Sequence, residues 1–299
     1  MSRVPHPSIC PQATALALLL LLPAACEPPP PAVSCAPASS DSFMPALGRD
    51  GKGKPVGALH WSYRVNAGKP VVVPGATTLS FTFGDQDVVV DQGGRHRSAR
   101  VTASFTATQG KNSASGVQVA TLEDTLALGP PAAVIQRSEQ VDVTISGAAS
   151  GHELRALTMK ADMPVLEFAD RGDLDQLPVG HTEEMNVTFE LSGSTATEMG
   201  GKRETKPLTG QAQATFFWRI EEQLATFAVG GKLYKNVVKL EEDHQMTSTS
   251  AVPGSSGSTT SHFWVARGIG IVRSEETLDV NGVSASYFEE LADTNLEQP

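Results

Sequence analysis

A period of two runs through this chain from Ala58 onward, and that alternation limits the fold more than any other feature. Met185, Val187, Phe189 and Leu191 alternate with Asn186, Thr188, Glu190 and Ser192. Ala212, Ala214, Phe216, Trp218 and Ile220 alternate with Gln211, Gln213, Thr215 and Arg219, although Phe217 interrupts the polar set. Val141, Val143 and Ile145, and again Val101, Ala103 and Phe105, repeat the pattern against Asp, Thr and Ser. Successive side chains of a strand take opposite faces, so such runs have one covered face and one wetted face. No segment of the body holds a helical period for three turns, and a short helical turn is expected near Gly172 to Gln176. Gly- and Ser-rich stretches at 110–116, 146–151, 192–202 and 253–261 separate the runs. Gly230-Gly231 joins two of them by a two-residue loop, a good hairpin signal. The expected class is all-β, with roughly a dozen strands in a strongly curved antiparallel sheet, half-barrel or barrel-like, because large flat sheets twist and curl.

Two letter echoes run through the body. Gln136-Arg137-Ser138-Glu139 resembles Val272-Arg273-Ser274-Glu275, and Val119 to Asp124 resembles Val238 to Asp243. Two readings stay open: similar halves at 58–170 and 177–290 within a single β domain of 58–299, or short β-segments alike in composition.

The N-terminus breaks the pattern. Arg3 precedes an apolar run from Ala13 to Ala25, shorter than the roughly 20 residues that cross a bilayer, so residues 1–25 read as a signal peptide. The run ends in Leu22-Pro23-Ala24-Ala25-Cys26, and small residues directly before a cysteine resemble the lipobox of bacterial lipoproteins. Pro23 departs from that pattern, which has Leu at this position, while Leu22 sits one place early. The resemblance implies acylation at Cys26, a membrane partner reached through that lipid, and an exported location in the cell envelope at the outer membrane. An ordinary secretory signal is the alternative, and it exports the chain equally. Pro28 to Pro31, Pro37, Pro45 and Pro55 stand among Ala, Ser and Gly, so residues 26–57 read as an extended tether. Cys10 leaves with the leader, and Cys35 has Cys26 as a disulfide partner only if the latter is not acylated.

The C-terminal half carries a further likeness. Tyr234-Lys235-Asn236-Val237-Val238-Lys239 follows the Gly-Gly loop, and His262-Phe263-Trp264-Val265-Ala266-Arg267-Gly268-Ile269-Gly270-Ile271-Val272 follows a Ser-rich stretch. With Leu177-Pro178-Val179-Gly180 upstream, residues 177–290 resemble exported bacterial lipoproteins of unknown function, which are in turn similar to the half-barrels of lipoprotein carriers. That resemblance implies a curved sheet whose concave face holds acyl chains. From the residues alone, Gly268-Ile269-Gly270 reads as a bend and not a phosphate loop, because position 273 is Arg and no helix follows.

Candidate chemistry is sparse. The seven histidines stand apart, and no zinc spacing, nucleophile elbow or Walker loop occurs, so no catalytic residue, metal or cofactor is expected. Asp170, Asp173 and Asp175 read as a solvated acidic turn. With 33 acids against 23 bases, a nucleic-acid partner is excluded by charge. Trp61, Tyr63, Trp218, Tyr234 and Trp264 are the large amphipathic aromatics; they fill a core or line a cleft for an apolar ligand. The expected function is a non-catalytic, membrane-anchored envelope lipoprotein that binds or carries an apolar small molecule or lipid. The alternative is a structural or assembly component that meets envelope proteins through sheet edges and outer faces.

Overall fold

The computed structural model describes residues 58–298 apart from 68–70, 74–76, 91–95, 110, 128–132, 148–149, 167–170, 172, 249–256 and 281–282. The signal peptide, Cys26 and the tether lie outside the described residues. Strand β1 (Leu59–Ala67) continues as β2 (Val71–Val73), and β3 (Thr77–Phe83) with β4 (Gln86–Val90) forms their antiparallel return. There follow β5 (His96–Gln109), β6 (Asn112–Ala127), β7 (Ala133–Gly147), β8 (Gly151–Leu166), β9 (Thr182–Met199) and β10 (Lys202–Val229). The last four are β11 (Lys232–Ser248), β12 (Gly257–Ala266), β13 (Gly270–Val280) and β14 (Val283–Thr294). A 3-10 turn at Leu174–Gln176 falls where the helical turn is expected.

From β5 onward each strand pairs antiparallel with the next, and β14 returns to pair with β1. Since β1–β2 and β3–β4 are each one interrupted stave, the fourteen segments close into a 12-strand up-and-down barrel. This corrects the half-barrel expectation: an open sheet needs two free long edges, and here those edges satisfy each other. The seam is reinforced by side chains. His60 N–H donates to Asn295 Oδ1 at 2.9 Å, while Asn295 Nδ2 and Thr294 Oγ1 donate to the carbonyls of Ala58 and His60, each at 2.7 Å.

The alternation in sequence becomes the two sides of the wall. Met185, Val187 and Leu191 of β9, and Ala212, Ala214, Phe216, Trp218 and Ile220 of β10, point inward and are buried. Their neighbours Asn186, Glu190, Ser192, Gln211, Gln213 and Arg219 are exposed on the outside. The same division holds on β5 and β7, with Val101, Ala103, Val141 and Val143 inside and Arg100, Ser104, Gln140 and Thr144 outside. Among the described residues the exposed large apolar side chains are Val117, Ile135, Val179, Met199 and Leu233, too few for a continuous outward band. No described helix is long and apolar enough to cross a membrane.

Gly230 and Gly231 take φ of 56° and 80°, the left-handed pair a two-residue hairpin loop requires. Gly268 and Gly270, at φ 74° and 95°, reverse the chain between β12 and β13 beside a register shift at Trp264/Val265, so the expected bend is a turn with a bulge. The letter echoes take opposite faces. Arg137 and Glu139 point inward with Val141, whereas Arg273 and Glu275 lie on the outer side of β13, whose inward residues are Ser274 and Glu276.

Candidate functional site: the polar interior

The barrel holds two kinds of inward polar residue on two walls. On β5 to β7, Asp124 is gripped from both sides. Arg137 Nε and Nη2 donate to its two oxygens at 2.6 and 2.8 Å, and Arg97 Nη2 and Nε donate to Oδ2 at 2.7 and 3.0 Å. Burial alone would push the Asp124 carboxyl up, but the charges and hydrogen bonds of Arg137 and Arg97 outweigh it and hold it well below the usual range. Beside this triad Arg155 Nη2 donates to Glu139 Oε1 at 3.2 Å. There burial wins: it raises Glu139 despite Arg155 and Arg137, and lowers Arg155 despite Glu139 and Glu153.

The second wall, β10 to β14, is acidic. Trp218 Nε1 donates to Glu242 Oε2 at 2.5 Å. Ser274 Oγ donates to Glu289 Oε2 at 3.3 Å, and the Tyr287 hydroxyl hydrogen-bonds Glu276. Between the walls, His244 stacks on Phe216 with ring centres 4.5 Å apart, and its buried Nε2 has no hydrogen-bond partner among the described residues. Burial, with Arg137 adding, lowers this imidazole to about 4, so it is neutral at pH 7. A cavity of about 40 Å³ lies between Val134, Arg137, Met159, Phe216, His244 and Met246. That holds a few waters at most.

The five aromatics are placed in two groups. Trp218 is fully buried in the long interior cluster. Trp61, Tyr63, Tyr234 and Trp264 belong to a second cluster at one end of the barrel, with Leu59, Val229, Ile269 and Leu296. There Trp61 Nε1 donates to Ile269 O at 2.7 Å and the Tyr63 hydroxyl to Ile271 O at 2.9 Å, tying β1 to the β12–β13 turn. Trp264 lies on the opposite side of β12 from Phe263 and Val265. It is covered by Phe227, stacked at 5.5 Å, and by Lys239 and Arg273, whose cationic heads lie 5.1 and 5.6 Å from its ring centre. Asp173 and Asp175 are both ion-paired, to Arg171 and Arg267, and no group of three metal-ligating side chains stands together among the described residues.

Sequence reading missed the interior charges. Their signal was present: Asp124 shares the phase of Ala120 and Leu122, Arg137 and Glu139 that of Val141, and Glu242 and His244 that of Leu240 and Met246. A charge in an apolar phase of a strand is a charge inside the wall.

No family model and no curated protein matches this chain. Among solved structures, one described as the crystal structure of the beta domain of the Bordetella autotransporter Brka aligns with 79% of this chain and 99% of that chain. Identity is 10% and the TM-score 0.31, so the barrel described above rests on its own strand pairing. The likeness to the half-barrels of lipoprotein carriers is corrected here: the present sheet is closed. The apolar-ligand carrier goes with it, because packed side chains occupy the space an acyl chain would need. The assembly reading is not supported either, since it leaned on free sheet edges. Closure removes the long sheet edges, and the stretch of β10 at 202–210, paired only with β9 among the described residues, is blunted by Lys202, Lys206 and Pro207.

Proposed function

We propose that this protein is an exported barrel of the cell envelope that stands in water beside the outer membrane, held there through acylated Cys26, and has no catalytic chemistry of its own. The observation carrying this reading is the polarity of the wall. Its inward face is mainly Val, Leu, Ala, Met and Phe, with the buried charged groups described above set among them, and its outward face carries Asn, Gln, Thr, Ser and Arg. A bilayer-spanning barrel has the reverse arrangement, with an outward apolar band about 25 Å tall. The leader at 1–25 and the small residues before Cys26 support the address. The absence of a reaction is supported by the tying of the strongly perturbed Asp124 between Arg97 and Arg137.

The test is fractionation. The natural chain should sediment with membranes and be released by detergent, and Cys26→Ser should appear folded in the soluble fraction. An acyl chain contributes about 0.8 kcal/mol per buried methylene, so its loss removes the attachment. If Cys26→Ser stayed in the membrane through an alkaline carbonate wash, the wall itself would be the membrane-binding element and the reading would fail.

A further inference from the structure

Three inward carboxyl groups share the wall that closes the barrel. Cross-strand pairing lines up Glu242 of β11, Ser261 of β12, Glu276 of β13 and Tyr287 of β14 as successive partners, all buried. One pair along, Ser274 faces Glu289, which turns its carboxyl inward to the Ser274 hydroxyl. β14 is the strand that pairs with β1. We propose that Glu242, Glu276 and Glu289 form a proton-held latch on this seam. With protons on the row, the wall packs; in alkaline medium like charges accumulate inside it and the β13–β14–β1 segment loosens.

The surroundings are consistent in sign. The row receives hydrogen bonds from the Trp218 indole, the Ser274 hydroxyl and the Tyr287 hydroxyl. On the facing wall Arg137 and Arg97 grip Asp124, Arg155 grips Glu139, and Arg137 bears on His244, two residues along β11 from Glu242. Arg273, Glu275 and Glu290 pair with one another on the outside. Burial raises Glu289 to about 7 against the Ser274 hydrogen bond, and burial, then Glu289, then Glu242 push Glu276 well up. A carboxyl raised in the folded state adds stability that is complete below its ordinary 4.5 and lost as pH rises through about 7. His244 works from the other side. Lowered from 6.5 to about 4 by burial, it adds stability that is complete above 6.5 and lost as pH falls toward 4. Between pH 4.5 and 6.5 the two effects oppose each other, and above 6.5 only the carboxyl loss continues, so the barrel should lose stability from pH 6.5 upward.

The test is thermal unfolding of the full mature chain from pH 4 to 9, with hydrogen exchange mapped at pH 6.5 and 8.5. The midpoint should fall by about 5–10 °C between pH 6.5 and 8.5. Exchange, corrected for its intrinsic pH dependence, should accelerate first in β13, β14 and β1, and reverse on reacidification. Glu289→Gln should flatten the alkaline decline and leave the acid one. A midpoint flat across this interval overturns the latch, as does an unchanged decline in Glu289→Gln or loosening that begins in β5 to β8. If the variant does not fold, the exchange map of the natural chain decides.

Discussion

Replacing Trp218 by alanine should cost the barrel about 3–5 kcal/mol, the range for truncating a buried aromatic. Trp218 is fully buried and stacks on Phe216, ring centres 5.9 Å apart and planes 6° off parallel, and Phe216 in turn stacks on His244. The row lies along the inner face of β10 and β11, where a closed wall cannot collapse inward to fill the space. Truncation also removes the N–H that serves the buried Glu242 at 2.5 Å, a further cost of about 1–3 kcal/mol. Trp218→Phe separates the two effects, because it keeps most of the volume and loses only the donor. It should fall nearer the smaller figure. Denaturant midpoints of the mature chain check both; a Trp218→Ala protein that unfolds with the natural one would show that the lumen repacks.

Strands and their faces were legible because one physical rule, the two-residue period, governs both. Gln211 to Ile220 reads correctly residue by residue, Phe217 included, which stands partly covered on the outer side. Closure was not legible. It depends on pairing between β1 and β14, fixed by Thr294 and Asn295 against Ala58 and His60, more than 230 residues apart in sequence. No local pattern distinguishes an edge that finds a partner from one that does not. Trp264 shows a second limit. Alternation puts it with His262, away from the interior, yet it is nearly buried because the β10–β11 hairpin lays Phe227 over it. That hairpin is set by a register shift at Ile220/Glu222 and by Asn236 at φ 50°, a left-handed position filled by a residue that does not announce it as glycine would. The charged interior lay between these cases: its phase was visible, but the pairing of Asp124 with arginines of two flanking strands needed the register.

That pairing sets the second large effect. Asp124→Ala should destabilise the barrel by about 3–5 kcal/mol, because it takes away the carboxylate that two inward guanidiniums grip. The arginines are 14% and 9% exposed at the side chain and Asp124 5%, so water screens the loss little. The sign with pH follows from the depressed carboxyl. Its contribution is present above the ordinary value of 3.8 and is lost as pH falls through the lower folded value, so the variant should differ least from the natural chain in strong acid. Replacing the whole triad, as Arg97→Met with Asp124→Leu and Arg137→Met, should recover most of the loss or exceed the natural stability, since burying three charged groups is itself expensive. Urea midpoints of the single and triple variants at pH 7 make the comparison. A single variant within about 1 kcal/mol of the natural chain would mean that the arginines find compensation inside the lumen. A triple variant weaker than the single one would mean that Arg97 and Arg137 contribute through packing of their stems more than through their charge.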